Sequence, residues 1–292
     1  MTASSTVHWT TPAVPAAARA PQPCTASHRR IGELFPALRV HCTPPRTGDG
    51  WLGGADLLAR PEALRELIAH DARQGLVQYG RPLRPDVAAG FGLHRFTWAT
   101  ALLFTLPWFL ERRVPLLTPA DVSVRRSSGE LTARPGAFVC LPGDPAAGLP
   151  GARTADGEPE LAAGLRTALA GFLTPVLAAF RPEVRRGPRT LWAMATDAAV
   201  EGLWHVGGLL GEEERARTEL TALFAPAPAE CTPGASVSPF TPGAGFTHPA
   251  PAAPGTPHPG PPDGDRSRAS CCLVYTARPE AMCGGCPRIT RG

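Results

Sequence analysis

The sequence predicts an α+β fold: a mainly helical body with a small antiparallel β region, followed by a short cysteine-bearing segment at the C-terminus. Three observations support this prediction: apolar residues that recur with a helical period, one stretch of alternating side chains, and a group of cysteines crowded near the end of the chain. Hydrophobic residues occupy 43% of the 292 positions and charged residues 18%, which fits a soluble globular protein long enough to bury a sizeable core.

The composition excludes several classes of protein. With 35 prolines and 31 glycines, the chain lies just below the roughly 25–30% that marks a wholly low-complexity sequence. The sequence has no Gly-X-Y period, which excludes collagen, and the prolines exclude a coiled coil. The 29 basic residues are all arginine, and the formal net charge is only +4. This modest charge indicates neither a nucleic-acid partner nor an anionic membrane.

Two features predict a cytoplasmic protein without a transmembrane segment. Residues 2–20 lack the basic start and apolar run of a secretory signal. The longest uncharged stretch in the expected body, from Phe96 to Leu110, is shorter than the about 20 apolar residues that a membrane-spanning helix needs. We therefore interpret this stretch as a buried helix.

Helix-end signals place the first two helices of the body. Pro61 suits the first position of a helix, because its missing N–H has no helical partner there. Asp86 is expected as the N-cap of the next helix, which runs toward Arg112. Pro107 should kink or end that helix.

Leucines that recur every four residues predict a third helix, and Pro175 should interrupt its final turn. Two further helices are expected over residues 190–210 and 212–224. The leucines of the predicted stripe are Leu161, Leu165, Leu169, Leu173 and Leu177.

The sequence pattern between the second and third predicted helices predicts β-structure. Residues 121–125, a Ser128-Gly129 turn and residues 130–132 predict a hairpin with alternating side chains. Residues 136–141 are expected to add a third short strand.

Shifts in composition divide the chain into four segments. Residues 1–50, with seven prolines, are expected to be loosely ordered with local packing over 31–40, and residues 51–224 to form the helical and β body. Twelve prolines and six glycines within residues 225–264 predict a disordered linker over 225–265. Such a stretch cannot bury enough apolar surface to offset its ordering entropy. Residues 266–292 form the C-terminal segment.

The eight cysteines fall into two groups. One group lies together near the C-terminus, and in a reducing compartment this favours metal or redox chemistry over disulfides. Four thiolates close in sequence can hold a tetrahedral Zn²⁺ or the two irons of a [2Fe–2S] cluster. Adjacent Cys271 and Cys272 favour the larger cluster, because neighbouring side chains on extended backbone point apart. The grouped residues are Cys271, Cys272, Cys283 and Cys286, and the scattered ones are Cys24, Cys42, Cys140 and Cys231.

The residues around this motif suit a redox role. Gly284 and Gly285 allow backbone N–H groups to approach the sulfurs. From Arg266 onward the chain has five arginines and one glutamate. Their positive charge would raise the reduction potential of a cluster and attract an acidic electron donor. A solvated basic tail is the alternative interpretation.

The pattern Cys-Cys, ten residues, Cys-x-x-Cys-Pro, with Leu273 and Tyr275 after the first pair, resembles the C-terminal signature of FhuF-like ferric siderophore reductases. Residues 266–290 carry the resemblance strongly, and residues 55–224 carry it weakly, for example through the segment 114–124. That family usually joins its helical body to the cysteine motif by a short connection, whereas about forty Pro- and Gly-rich residues intervene here.

The resemblance implies a [2Fe–2S] cluster whose ligands are Cys271, Cys272, Cys283 and Cys286, with no catalytic residue beyond them. It further implies a cytoplasmic reductase that gives one electron to Fe³⁺ in a hydroxamate-type siderophore and releases Fe²⁺. The sequence contains no G-x-G-x-x-G fingerprint, so we expect a separate electron donor such as a ferredoxin or a flavoprotein.

Two other functions stay open: a zinc-stabilised, non-catalytic interaction module, and an iron–sulfur carrier or sensor without reductase activity. The remaining candidate side chains have structural interpretations. His94 and His205 are expected on helix faces or in the core. Asp197 lies within an apolar helix and is expected to cap a helix or face solvent, with a functional carboxylate as the alternative. Cys140 is expected to be a small buried hydrophobic residue.

Overall fold

Seven α-helices and seven short strands lie within the residues that the computed structural model describes, 22–226, 238–246, 266–278 and 286–287. The helices are α1 (Thr25–Leu34), α2 (Gly54–Ala59), α3 (Pro61–Tyr79), α4 (Pro85–Glu111), α5 (Glu158–Val184), α6 (Pro188–Leu210) and α7 (Glu213–Leu223). The strands are β1 (Arg39–His41), β2 (Leu52–Gly53), β3 (Arg113–Leu116), β4 (Val122–Arg125), β5 (Glu130–Ala133), β6 (Ala137–Cys140) and β7 (Ala152–Thr154). The predicted α+β class with a mainly helical body is confirmed.

Helix α4 lies at the centre of the body and packs against α1, α3, α5 and α6. Its sequence is apolar on nearly every side, and a helix of this kind is stable only when other elements cover it. Phe104 and Phe109 are among its fully buried side chains. The prediction that the uncharged stretch from Phe96 to Leu110 forms a buried helix is confirmed.

Pro107 lies inside α4, which continues to Glu111, so of the two effects predicted for this proline, a kink or an end of the helix, the helix end is wrong. A proline deprives the carbonyl four residues earlier, here that of Leu103, of its usual partner. The Nε2–H of the fully buried His28 donates to this carbonyl at 2.9 Å. Burial lowers the pKa of His28, which favours the neutral ring. The imidazole thus replaces the missing backbone N–H and joins α1 to α4.

Proline marks the starts of α3 and α4, where its missing N–H has no helical partner. Each helix has a proline at its first position, and for α3 this is Pro61, as predicted. The N-cap of α4 is Arg84, so the prediction of Asp86 at that position is wrong. Asp86 lies in the first turn, where its carboxylate accepts a hydrogen bond from Arg84 at 2.9 Å. Its negative charge also interacts favourably with the positive end of the helix dipole.

Helix α5 is the one helix in the described part of the chain that is long and apolar enough to cross a membrane. All five leucines of the predicted stripe are buried, and α5 contacts α4 and α6. The leucine face of α5 therefore packs in the core. The helix runs past Pro175 to Val184, so the predicted interruption is wrong. The Gly171 carbonyl, which loses its partner to Pro175, belongs to an exposed residue.

Two small sheets complete the body. The predicted hairpin is present as β4 and β5, which pair antiparallel from Val122 opposite Ala133 to Arg125 opposite Glu130. Strand β1 lies parallel to β5, and β2 lies antiparallel to β4. The third predicted strand is β6, which pairs with β3 and β7 in the second sheet instead of extending the hairpin. Both sheets are mixed, because the β1–β5 and β6–β7 pairs are parallel.

The chain before Trp51 carries more structure than its composition predicted. Ile31 of α1 is fully buried in the core, and β1 extends the first sheet. The structure therefore differs, from residue 22 onward, from the loosely ordered segment expected over 1–50. The reason is that α1 covers one side of α4, a contact that the local composition does not reveal. Residues 1–21 lie outside the described residues.

Replacing Gly129 with alanine should destabilise the β4–β5 turn. Gly129 has a φ of +66°, and an added Cβ would lie 1.9 Å from the Ala37 carbonyl oxygen. We expect Gly129→Ala to lower the free energy of unfolding by about 2–3 kcal/mol, measured by chemical denaturation. Gly136→Ala is the matched control, because its Cβ would meet nothing within 4 Å. Equal stability of the two variants would contradict this explanation.

Candidate functional site

A buried carboxylate on α6 fixes the start of the C-terminal segment. Asp197 is 0% exposed, and both of its oxygens accept hydrogen bonds from this segment. The Arg266 guanidinium donates to Oδ1 at 2.7 Å, and the Ala269 N–H donates to the same oxygen at 3.0 Å. The N–H and the hydroxyl of Ser270 donate to Oδ2 at 2.8 and 2.6 Å. Four donors thus replace the water that the carboxylate loses on burial.

A second carboxylate, one turn further along α6, adds to this contact. Glu201 Oε1 lies 3.0 Å from Nη1 of Arg266 and 3.2 Å from Nε of Arg268. Burial raises the pKa of Glu201, and the two arginines oppose that shift. Two negative and two positive side chains therefore meet at one place, which is the condition for burying charges. We call this group the anchor, and its members are Asp197, Glu201, Arg266 and Arg268.

Residues 238–246 also pack on the body. Phe240 is 5% exposed, and its ring lies edge-on against Trp192 and Phe224, with centroids 5.1 and 5.3 Å away. The disordered linker predicted over 225–265 is therefore wrong for this stretch. An aromatic side chain finds partner rings on the body here, which composition alone does not indicate.

The same stretch pairs with the start of the C-terminal segment. Phe246 and Arg266 form an isolated antiparallel bridge, and Phe246 packs against an aromatic ring of α6. The Ser267 N–H donates to the Gly245 carbonyl at 2.7 Å. Arg266 Nε donates to the Ala244 carbonyl at 2.8 Å. The two pieces of chain therefore support each other on the surface of α6.

The anchor leads directly into the cysteine pair. The thiols of Cys271 and Cys286 are in hydrogen-bond contact, and Cys286 is buried. Cys272 is half-buried and lies on the wall of a cavity. Burial, followed by the neighbouring thiols, raises the pKa of Cys271. Cys283 lies outside the described residues, and among those described no three His, Cys, Asp or Glu side chains converge as a complete metal site.

The donor set at the pair fits a cluster with two irons. The two adjacent cysteines have different surroundings, since one contacts Cys286 and the other faces the cavity. Leu273 has a φ of +61°, a left-handed conformation that costs a non-glycine residue about 1–2 kcal/mol. Its backbone forms a hydrogen bond with Cys271 that lowers the pKa of that thiol. Hydrogen bonds to ligand sulfurs are one means by which proteins set reduction potentials.

A cavity of about 220 Å³ opens beside Cys272, between α3, α4, α6 and the C-terminal segment. Its wall includes Tyr79 and Phe91, whose ring centroids lie 6.1 Å apart, and the polar side chain of Arg95. A small ligand that enters this cavity can therefore reach the neighbourhood of the Cys272 sulfur without entering the core.

The other sequence candidates occupy structural positions, with one exception. His205 stacks on an aromatic ring, and Cys140 is fully buried at the end of β6, as predicted. His94 borders the cavity 3.5 Å from Glu201, and burial lowers its pKa to about 4. The exception is Asp197: the prediction that it caps a helix or faces solvent is wrong. The sequence signal for this role was a pair of carboxylates, Asp197 and Glu201, four residues apart in a largely apolar helix.

Replacing Asp197 with asparagine should release the C-terminal segment from α6. The change puts an NH₂ donor opposite N–H groups and leaves Glu201 as the carboxylate that remains paired with Arg266. Breaking a buried ion pair costs about 3–5 kcal/mol. We expect limited proteolysis to cut residues 266–270 much faster in Asp197→Asn than in the wild type. Glu33→Gln is the control, because its ion pair with Arg30 is exposed and contributes little. Unchanged protection in Asp197→Asn would refute the anchoring role.

Comparison with known families identifies the C-terminal segment. Residues 268–288 match the family model described as the FhuF 2Fe-2S C-terminal domain. No curated protein and no solved structure gives a significant match to the chain. Over the matched residues, the predicted resemblance and the predicted [2Fe–2S] cofactor are confirmed, and Cys271, Cys272 and Cys286 fit the motif. Residues 268–288 of this chain are thus similar to the FhuF 2Fe-2S C-terminal domain, and the anchor holds the start of this segment on the helical body.

Proposed function

We propose that this protein is a cytoplasmic one-electron reductase of ferric hydroxamate siderophores that releases Fe²⁺. The observation that carries the proposal is the position of Cys272: it belongs to the FhuF-type segment and lies on the wall of an open cavity. Electron transfer to a bulky chelate requires that the chelate approach a ligand of the cluster closely. A cysteine at a cavity wall meets that requirement.

In this proposal the cluster ligands are Cys271, Cys272, Cys283 and Cys286. When bound, the [2Fe–2S] cluster supplies electrons one at a time. The chain's own residues fix the ligands and stabilise the charge of the reduced state. The anchor holds the residues immediately before Cys271, and the backbone of Leu273 stabilises negative charge on the Cys271 sulfur.

Release of the metal follows from the preferences of the two iron states. Hydroxamate oxygens are hard donors that bind Fe³⁺ far better than Fe²⁺, so adding one electron loosens the chelate. The protein needs no acid–base catalyst for this step. Its task is to bind the chelate beside Cys272 and to receive the next electron from a donor.

The electron donor in this proposal is a separate ferredoxin or flavoprotein. The chain contains no dinucleotide-binding fingerprint, so it has no internal source of electrons of that kind. Arg266 and Arg268 belong to the anchor, and the sequence after them adds three arginines against one glutamate, which favours an acidic partner.

Two competing functions make different predictions. A zinc-stabilised interaction module would contain zinc and no iron, and the match to a 2Fe-2S domain disfavours it. An iron–sulfur carrier or sensor would contain the cluster but would not transfer its electron to a ferric chelate.

The spectrum of anaerobically purified protein tests the proposal directly. We expect a red-brown protein whose visible absorption bleaches with dithionite and returns after addition of one equivalent of a ferric hydroxamate. A ferrous-specific chelator should then trap about one Fe²⁺ per cluster, because a [2Fe–2S] cluster transfers one electron. A colourless zinc protein would refute the cofactor, and a reduced cluster that ignores the ferric chelate would refute the reductase.

Serine substitutions test the ligand set. Serine at each proposed ligand, for example Cys272→Ser, should abolish the cluster absorption or strongly reduce the iron content, because a hard hydroxyl replaces a soft thiolate. Cys42→Ser is the matched control, since Cys42 is also half-buried but lies outside the motif. Full iron content in Cys272→Ser would remove that residue from the ligand set.

A further inference from the structure

A groove runs from Cys272 along α3 and α4 to the β4–β5 turn. It combines the cavity of about 220 Å³ with an adjoining one of about 850 Å³, and both have Gln78, His94 and Arg95 in their walls. Its far end is lined by the turn at residues 126–129. Small-molecule sites usually enclose about 300–1,000 Å³. The groove therefore has room for a whole siderophore chelate, whereas the cavity at Cys272 alone does not.

Two arginines give the larger part of this groove a positive wall. The Asp71 carboxylate is fully buried and accepts hydrogen bonds from Arg95 at 2.7 Å and from Arg126 at 2.8 Å. Asp71 also lines the larger cavity, but its side chain is 0% exposed, whereas those of Arg95 and Arg126 are 33% and 25% exposed, so a ligand meets the guanidinium groups first. Two positive charges against one negative charge leave this group with a net positive charge.

The surface on the other side of Trp98 has the opposite character. A cavity of about 490 Å³ lies there, and its charged wall residues within the described part of the chain are Glu201 and Glu213. Trp98 lines both this cavity and the groove. Glu201 is paired with Arg266 and Arg268 in the anchor, so Glu213 supplies the negative charge of this cavity. A negatively charged ligand is therefore favoured on the arginine side of Trp98, which is the side that leads to Cys272.

We propose that this groove binds ferric hydroxamate chelates of net negative charge, with Arg95 and Arg126 contacting carboxylate groups on the chelate. The inference rests on the proposed function and adds the net charge of the preferred chelates and the groove that binds them. Guanidinium groups donate paired N–H bonds to carboxylates, and aromatic rings along the groove cover the apolar parts of the chelate. The iron lies toward Cys272: the reduced cluster loses one electron, Fe³⁺ gains it, and no bond to the protein forms.

Gallium(III) chelates measure binding without reduction, because Ga³⁺ forms equivalent hydroxamate complexes and does not accept the electron. We would titrate the iron-loaded protein calorimetrically with two gallium trihydroxamates, one bearing free carboxylates and one of net positive charge. We expect the wild type to bind the anionic chelate at least about tenfold more tightly than the cationic one. This preference should decrease as the salt concentration rises.

Substitutions at Val77 test the site itself. Val77 lies on the groove wall and is 82% exposed, so charged residues fit there without disturbing the core. We expect Val77→Glu to weaken binding of the anionic chelate about fivefold and Val77→Arg to strengthen it. Leu76→Glu is the matched control, because Leu76 is 46% exposed on the same helix but does not line the groove. The affinity of this variant for the anionic chelate should equal that of the wild type.

The outcomes separate this inference from the proposed function. Equal affinity for the two gallium chelates, or equal loss in Val77→Glu and Leu76→Glu, overturns the groove assignment even when reduction of iron chelates is observed. Binding with the expected charge preference, combined with a reduced cluster that does not reduce the iron chelate, supports the groove and refutes the reductase.

Discussion

The position of the cysteine pair depends on the Asp197 carboxylate. Removing a carboxylate from water costs several kcal/mol, and that cost is offset only when a full set of donors replaces the water. Each oxygen of Asp197 receives two donors, and all four come from residues 266–270. We interpret the buried charge as a device for specificity: any other placement of the segment would leave the carboxylate without partners.

A series of contacts connects this anchor with the rest of the fold. The C-terminal segment is too short to build a core of its own, so it uses the surface of α6. Helix α6 presents both carboxylates there and packs on α4. Helix α4 contains a proline in its last turns, and His28 of α1 satisfies the carbonyl that Pro107 leaves free. The residues before Trp51 therefore help to support the helix on which the site is built.

Properties that are local in the sequence could be predicted, and those that require a distant partner could not. The uncharged stretch of α4, the leucine period of α5 and the cysteine motif are local, which is why these helices and the resemblance that implies the cofactor could be recognised. Pro107 was misleading because the group that compensates for it comes from α1. Asp197 resembled a surface residue because its donors reach it only after residues 266–270 have folded onto α6. The groove needs α3, α4 and the β4–β5 turn in their final arrangement, so no sequence pattern could indicate it.

The bridge between Phe246 and Arg266 means that the chain leaves the surface of α6 and returns to it at one point. The ends of the intervening stretch, 247–265, are thus already held together, and the entropy of closing such a loop grows only slowly, by about 0.6 kcal/mol for each doubling of its length. Insertions and deletions in this stretch can therefore accumulate without moving the cysteines. Residues 266–270 therefore stay in one place on α6 despite the long connection, and under the proposed function the electron donor and the ferric chelate would both approach the segment there.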